Sequence, residues 1–224
     1  MASIEKILEN NRNWVNETTT GNPGFFEKVA ENLAPELLWI GCSDGRVGPD
    51  ILTGLPMGSI FVHRNIGNVF ASSDLNCLAV LQFAVDELQV PNIIICGHYG
   101  CGGIHRALNH LGHSPIDLWV DQIRNVQERF HEELEAIDET ERLARFTELN
   151  VSAQVHNVCR SSIVRDAWER NQQLAIHGLV YSMHNGLLKP ICKSVSSLRG
   201  WEKFESADTI LGNSEPRMNA NEHK

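Results

Sequence analysis

The side chains best suited to chemistry come directly after two short apolar runs. Both runs are typical of strands that are buried on both faces, and they are Leu37–Ile40 and Asn92–Cys96. Thiol and imidazole groups follow these runs, namely Cys42, His98 and Cys101. In an open parallel sheet the carboxyl ends of the strands lie at one edge, and ligands bind there. If the two strands are neighbours, we expect the three donors to converge on one point.

Two thiolates and one neutral imidazole form a donor set that suits Zn²⁺, and three protein ligands leave a fourth position for water or substrate. His98 and Cys101 are separated by two residues, as in many zinc sites, and Gly100 lets the backbone turn tightly between them. The long separation of Cys42 from His98 indicates a pocket between strands rather than a zinc finger. The alternative is that both cysteines are ordinary buried thiols and His98 is a hydrogen-bonded core histidine.

Asp44 and Arg46 follow Cys42 closely enough to act on such a centre. Zinc lowers the pKa of a bound water to about 7, so hydroxide is available near neutral pH. Paired with Arg46, Asp44 stays ionised and can accept the proton of this hydroxide, which orients the oxygen. Without Arg46, Asp44 is expected to become the fourth zinc ligand and to close the site. The alternative is a surface ion pair of little energetic value.

These motifs resemble those of the β-class carbonic anhydrases. Cys-x-Asp-x-Arg follows one predicted strand, and His-x-x-Cys-Gly-Gly follows a later one. Further similar segments extend the resemblance over nearly the whole chain: 23–26, 61–65, 74–77 and 176–178. The resemblance implies an enzyme with one Zn²⁺ per chain that interconverts carbon dioxide and bicarbonate. It also implies a homodimer or homotetramer in which the N-terminal helices embrace a neighbouring subunit; packing on their own sheet is the alternative.

Apolar side chains are expected to line the substrate pocket, and they are Leu33, Phe61, Ile66 and Phe83. Similar chains often carry a glutamine where this chain has Leu33, a tyrosine at Phe83 and a serine at Gly45. The pocket therefore loses hydrogen-bonding groups near the substrate. His105, one helical turn after Cys101, is a candidate proton shuttle because histidine titrates near neutrality. The alternative for His105 is a histidine on a helix surface.

A second anion site is implied by Trp39, Arg64 and Tyr181, which match a triad in a regulated subset of the family. An indole N–H, a guanidinium and a phenol are all donors and suit a small planar anion. Bicarbonate bound there would displace the segment 42–46, break the Asp44–Arg46 pair and place Asp44 on zinc. The alternative assigns the triad three unrelated roles.

Composition limits the classes of partner. The chain has 224 residues, of which 42% are hydrophobic and 21% charged, and this fits a single globular domain over 1–224. A net charge of −9 without a basic block argues against nucleic acid. No apolar run approaches the roughly 20 residues of a membrane span, and the first residues resemble neither a signal nor a transit peptide. We therefore expect a cytoplasmic protein. Six cysteines in a chain of this length are not a disulfide scaffold.

Alternating strands and helices predict an α/β fold with a central sheet of four parallel strands, an antiparallel fifth and helices on both faces. The predicted strands are Leu37–Ile40, Ser59–Val62, Asn92–Cys96, Gln173–Met183 and Leu187–Val195, the last two joined by a turn at Asn185-Gly186. The chain is also predicted to begin with a helical arm over 1–34, whose second helix starts at Asn22-Pro23, and to end with a polar tail over 203–224. Between them, the predicted helices are Asp74–Leu88, capped by Ser72 or Ser73, then Cys101 to Asn109, and helices over 117–171 with a break near 136–140.

Three functions are consistent with these features. The first is a carbonic anhydrase. The second is a hydrolase that uses the same zinc site on a sulfur analogue, carbonyl sulfide or carbon disulfide, which a more apolar pocket would favour. The third is a zinc-binding structural or regulatory protein without turnover. A thiol-transfer enzyme with Cys42 as the nucleophile is a more distant alternative that stoichiometric zinc would exclude.

Overall fold

A five-stranded sheet lies at the centre of the computed structural model, which describes residues 3–31, 34–110 and 112–210. Its strands are β1 (Leu37–Cys42), β2 (Ile60–Asn65), β3 (Asn92–His98), β4 (Ala175–Tyr181) and β5 (Leu188–Pro190). Their order is β2-β1-β3-β4-β5, with β1 to β4 parallel and β5 antiparallel to β4. The predicted α/β fold is confirmed. β1 and β3 run past their apolar segments and include Cys42 and His98 themselves.

Eleven helical segments surround the sheet within the described ranges. They are α1 (Ile4–Gly21), α2 (Phe25–Glu31), α3 (Pro49–Thr53), α4 (Leu75–Gln82), a π-helical turn (Phe83–Glu87), α5 (Gly102–Asn109), α6 (Pro115–Arg129), α7 (His131–Glu135), α8 (Glu139–Arg160), α9 (Ser162–Glu169) and α10 (Leu198–Ile210). The predicted break near 136–140 lies between α7 and α8. Two further helix ends, at Phe130 and Ser161, were not predicted.

Two predicted N-terminal helix caps are wrong. Asn22 is the C-terminal cap of α1, where its N–H donates to the Thr18 carbonyl, and α2 begins only at Phe25. Asp74 caps α4 in place of the two serines before it, because its Oδ1 accepts the N–H groups of Asn76 and Cys77. A carboxylate at this position also interacts favourably with the positive end of the helix dipole.

Three apolar clusters pack around the sheet. On one face, Leu38 and Ile40 of β1 pack with side chains of α4, α8 and α9. On the other face, Trp39 packs with residues of α3 and β4. The third cluster lies beyond the carboxyl ends of the strands, where α5, α6 and α8 enclose Cys42 and Cys101. The two cysteines are therefore buried where β1 and β3 end.

The described part of the N-terminal arm, residues 3–31, is helical but contributes no side chain to these clusters. Four apolar side chains of α1 are between 41% and 61% exposed, and they are Ile4, Ile7, Leu8 and Trp14. Trp14 stacks edge-on against Phe26 of α2, with ring centroids 5.3 Å apart. At the other end, α10 extends into the stretch predicted as a polar tail and buries Trp201. Residues 211–224 lie outside the described residues. None of the described helices has both the length and the apolar character needed to cross a membrane.

Candidate metal centre and active site

The carboxyl ends of β1 and β3 bring the three candidate metal donors together. In the parallel register Gly41 pairs with Cys96, so Cys42 and His98 leave neighbouring strands at the same edge. Cys101 follows as the N-terminal cap of α5. The donor atoms of Cys42, His98 and Cys101 all lie within 4.8 Å of one another, and all three residues are buried.

The geometry of these donors fits a tetrahedral zinc ion. The two sulfur atoms are 3.8 Å apart, and two Zn–S bonds of the usual length at a tetrahedral angle span about 3.8 Å. His98 directs Nδ1 at the Tyr99 carbonyl at 3.1 Å, so Nδ1 is the protonated nitrogen and Nε2 presents its lone pair. Nε2 is buried and has no hydrogen-bond partner among the described residues. An ion coordinated there would remove the cost of this unpaired nitrogen.

The pKa values of the Cys42 and Cys101 thiols depend on each other. A hydrogen bond from the Cys101 S–H lowers the pKa of Cys42, against the effect of burial, which raises it. The pKa of Cys101 is raised for the reciprocal reason, since it supplies the hydrogen bond to an ionised Cys42. A bound dication stabilises both thiolates at once, so metal binding is expected to release protons.

Asp44 and Arg46 form a two-pronged ion pair beside these donors. Arg46 donates from Nε to Oδ1 at 2.9 Å and from its terminal nitrogen to Oδ2 at 2.6 Å. The guanidinium holds the pKa of Asp44 well below its usual range, so the carboxylate is ionised at neutral pH. Asp44 Oδ2 lies 3.9 Å from the unpaired Nε2 of His98. The pair is thus next to the metal donors, with its carboxylate held away from them.

The predicted pocket residues lie in different places. Ile66 is 41% exposed and packs where a Cβ on Gly103 would lie, two residues after Cys101. Phe61 and Phe83 stack together with ring centroids 5.7 Å apart. Phe61 precedes the end of β2 by four residues, which places it about 13 Å from the metal edge of its own chain. Leu33 lies outside the described residues.

The candidate proton shuttle, His105, is exposed on α5. It lines a groove of about 240 Å³ together with Glu135, Glu139 and Arg142. The imidazole is therefore in contact with solvent. His105 lies one helical turn after Cys101 on α5, as its spacing in the sequence indicated.

The three residues of the candidate anion site lie on one face of the sheet, beside the segment 42–46. Arg64 is paired with Gly41 across β1 and β2, and it donates to the carbonyl oxygens of Cys42 and Asp44, the former at 2.8 Å. Tyr181 is half-buried in the same cluster as Trp39. The Trp39 indole N–H is fully buried and has no partner among the described residues. Such an orphan donor is unusual in a folded protein.

Sequence reasoning missed a set of side chains that hold the turn after β2. This turn, residues 65–70, is called the Gly67 turn below. Its hydrogen-bonding partners come from α6 and α8, and they are Trp119, Asn150, Gln154 and Asn157. A signal for the α8 partners was available, because amides recur at 150, 154 and 157 beside valines at 151, 155 and 158. Such spacing predicts a polar stripe within a buried helix face.

A second group of metal-binding residue types, His63, Asp74 and Cys77, also lies within 4.8 Å. Asp74 already accepts two N–H groups as the cap of α4. His63 Nε2 lies 3.3 Å from the amide nitrogen of Asn65. These contacts give the group a structural role at the start of α4.

Together the fold and the donors define a class of protein: an α/β protein with a candidate Cys₂His metal site at the carboxyl edge of a parallel sheet and a carboxylate–arginine pair beside it. The family model for carbonic anhydrase matches residues 37–188. The carbonic anhydrase of Emericella nidulans is 41% identical over 188 residues, which cover 84% of this chain and 82% of that protein. The carbonic anhydrase of Candida albicans is 34% identical, covering 85% of this chain and 68% of that protein.

Solved structures agree with these sequence relatives. The Coccomyxa β-carbonic anhydrase in complex with acetazolamide is 35% identical, covers 96% of this chain and 100% of its own, and superposes with a TM-score of 0.87. A tetrameric β-carbonic anhydrase from Sordaria macrospora is 36% identical, covers 86% of this chain and 98% of its own, and gives 0.82. The chain belongs to the β-carbonic anhydrase family, as its motifs indicated. It is therefore an enzyme of the lyase class.

Proposed function

We propose that this chain catalyses the reversible hydration of carbon dioxide to bicarbonate and a proton, with zinc held by Cys42, His98 and Cys101. The observation that carries the proposal is the donor set, whose sulfur separation of 3.8 Å suits zinc. A zinc ion bound there would lower the pKa of a coordinated water to about 7 and so supply a nucleophile near neutral pH. Carbon dioxide has no leaving group to protonate, so the protein must only orient this nucleophile and export one proton.

Asp44 is the orienting residue in this proposal. Because Arg46 keeps it ionised, its carboxylate can only accept a hydrogen bond, and this fixes the direction of the attacking oxygen. Arg64 supports the arrangement by binding the backbone carbonyls of Cys42 and Asp44. Ile66 supplies an apolar wall next to Cys101, and the proton is then passed to His105 and solvent. Low-buffer kcat should fall in His105→Ala and recover with added imidazole; an unchanged value would remove His105 from the pathway.

Metal analysis combined with gas-specific assays tests the function. The purified chain should hold about one zinc per protomer and hydrate carbon dioxide, whereas Cys42→Ser and Cys101→Ser should lose both properties. Cys192→Ser is the matched control, since this thiol lies outside the donor set. Parallel assays with carbonyl sulfide and carbon disulfide separate the alternative hydrolase. Acetazolamide, which the Coccomyxa relative binds, should inhibit the hydration. Zinc without turnover of any gas would support the non-catalytic alternative.

We further propose that Trp39, Arg64 and Tyr181 bind bicarbonate as a regulator. The unpaired and buried indole N–H of Trp39 supports this site, as does the hold of Arg64 on the segment that carries Asp44. An anion that recruits the guanidinium would release those carbonyls, free Asp44 from Arg46 and let it become the fourth metal ligand. Bicarbonate should then inhibit, and the inhibition should weaken in Arg64→Ala and Tyr181→Phe. Equal inhibition in both variants and wild type would remove the site.

A homo-oligomer is part of the proposal. Four apolar side chains of α1, together with Val62 and Ile66 at the β2 edge, are 40% to 61% exposed. Such apolar surface is typical of a protein–protein interface. Relatives from Sordaria macrospora are tetrameric. A dimer over this edge could also bring Phe61 and Phe83 to a neighbouring site. Light scattering should show a dimer or tetramer that Ile7→Glu dissociates, and a monomeric wild type would refute this. A single domain over 1–224 and a cytoplasmic location stay predictions.

A further inference from the structure

Tyr99 follows His98 directly and supplies the carbonyl that fixes the tautomer of the His98 ring. His98 Nδ1 lies 3.1 Å from the Tyr99 carbonyl oxygen. Because a carbonyl can only accept a hydrogen bond, Nδ1 must carry the ring proton, and Nε2 is left with its lone pair. The direction of the Tyr99 carbonyl therefore decides which ring nitrogen of His98 is available to a metal ion.

The residue after Tyr99 does little to hold this carbonyl in place. The carbonyl belongs to the peptide group between Tyr99 and Gly100, and Gly100 has φ of +70°. Among the described residues outside its chain neighbours, a Cβ on Gly100 would meet no atom within 4 Å, so the space beside it is open. Glycine also permits a wider range of backbone angles than other residues. The restraint on the carbonyl is therefore expected from the side of Tyr99.

Tyr99 is held at two distant points. Its backbone N–H donates to the Tyr181 carbonyl of β4 at 3.1 Å. Its phenol O–H, at the far end of the side chain, donates to Glu148 Oε1 of α8 at 2.7 Å. With the backbone and the tip of the ring both fixed, Tyr99 has little freedom to rotate, and its carbonyl keeps its direction.

Glu148 is itself firmly placed. Val151, about one helical turn further along α8, packs so closely on β3 that a Cβ on Gly97 would lie 2.6 Å from its Cγ2. Glu148 Oε1 also accepts from Lys189 of β5 at 3.0 Å, and Oε2 accepts from Arg145 at 3.2 Å. The Glu148 side chain is only 16% exposed, so water competes weakly for these charge-assisted bonds.

We propose that Tyr99 and Glu148 are positioning residues of the metal centre. The hydrogen bond from the phenol to the Glu148 carboxylate holds the Tyr99 carbonyl on His98 Nδ1, and this keeps Nε2 unprotonated and ready to bind the ion. The proposal rests on the zinc site proposed above and adds two residues that act through His98. Outer partners of metal ligands typically contribute about 10- to 100-fold to metal affinity or activity.

Tyr99→Phe is the sharpest test, because it keeps the aromatic ring and deletes only the hydroxyl. Its zinc affinity, measured by chelator competition, should fall about tenfold. In the metal-free protein, nitrogen NMR spectra should show the wild-type His98 ring protonated at Nδ1 and the variant ring as a mixture of both tautomers. A His98→Gln spectrum identifies the signals.

Glu148→Ala removes the same hydrogen bond from the other side and should produce the same two changes. The double variant should lose no more zinc affinity than either single variant, since both substitutions act on one bond. Lys189→Met is the matched control, because Lys189 donates to the same Glu148 oxygen and its removal leaves the bond from Tyr99 in place. This control should keep the wild-type zinc affinity and the wild-type tautomer.

Either Tyr99→Phe or Glu148→Ala decides the question if the other fails to fold. Wild-type zinc affinity and tautomer in the folded variants would overturn the proposal, as would a fall in affinity without a change of tautomer or an equal change in Lys189→Met. A wild-type ring protonated at Nε2 in the metal-free protein would overturn it without any variant. A wild-type chain that binds no zinc would instead overturn the proposed function, and the tautomer of His98 would still test the bond between Tyr99 and Glu148.

Discussion

Breaking the Asp44–Arg46 pair should impair catalysis far more than folding. The Arg46 side chain is 65% exposed, so water screens the ion pair and its contribution to stability is about 0 to 1 kcal/mol. A group that accepts or orients a proton in the reaction commonly contributes 100-fold or more in rate. We therefore expect each single substitution, Asp44→Asn or Arg46→Ala, to lower kcat about 100-fold, equivalent to about 2.7 kcal/mol.

The two substitutions act on the same unit. Without Arg46, Asp44 has little to hold it away from the metal donors, since Oδ2 is only 3.9 Å from His98 Nε2. Without the Asp44 carboxylate, Arg46 has no catalytic partner. The double variant should therefore lose about 100-fold in kcat rather than the roughly 10,000-fold of independent effects.

Stopped-flow hydration rates and urea unfolding of the four proteins measure the coupling. Arg106→Ala is the control, because Arg106 makes a similar bond to Asp117, at 2.6 Å between Nε and Oδ1, at the junction of α5 and α6. This control should lose stability, because Asp117 is buried. It should keep its kcat, because Arg106 and Asp117 are not part of the proposed catalytic pair. Additive rate losses in the double variant would refute the coupling. A kcat loss matched by an equal loss of stability would refute the catalytic role.

Two further predictions concern stability. Gly41→Ala should destabilise the fold by about 1 to 3 kcal/mol, because its Cβ would overlap the Trp39 indole nitrogen. Gly45→Ala, with open space around it, should change the free energy of unfolding by no more than about 0.5 kcal/mol. Equal urea midpoints for the two variants would contradict this. Arg106 holds the pKa of Asp117 well below its usual range, so this carboxylate stabilises the fold above about pH 4 and stops doing so as pH falls through its folded pKa. Asp117→Asn should flatten the loss of stability below pH 4, and an unchanged slope would count against it.

Much of the metal centre could be predicted from the chain because its parts are local. Cys42 and His98 each end a strand, and Cys101 caps the helix that follows. Parallel pairing alone then suffices to bring the donors together, since all strand ends of this kind share one edge. The Asp44–Arg46 pair is also local, spanning two residues of one turn. The sheet could be predicted because the alternation of apolar runs and helices is likewise a local feature of the sequence.

Tertiary structure decided whatever depends on register or on distant partners. Phe61, which was expected to line the substrate pocket, lies in the first half of β2 of its own chain, where it pairs with Leu38, and such pairing is not visible in a single strand. Trp119 lies within the helices predicted over 117–171, and only the packing of α6 on the Gly67 turn shows where its N–H points. Asn150 has no local partner in this turn, because the two are separated by 83 residues of chain. A sequence motif identifies groups that act together because they are close in the chain. Hydrogen bonds between remote segments form only once the chain has packed, so a motif does not reveal them.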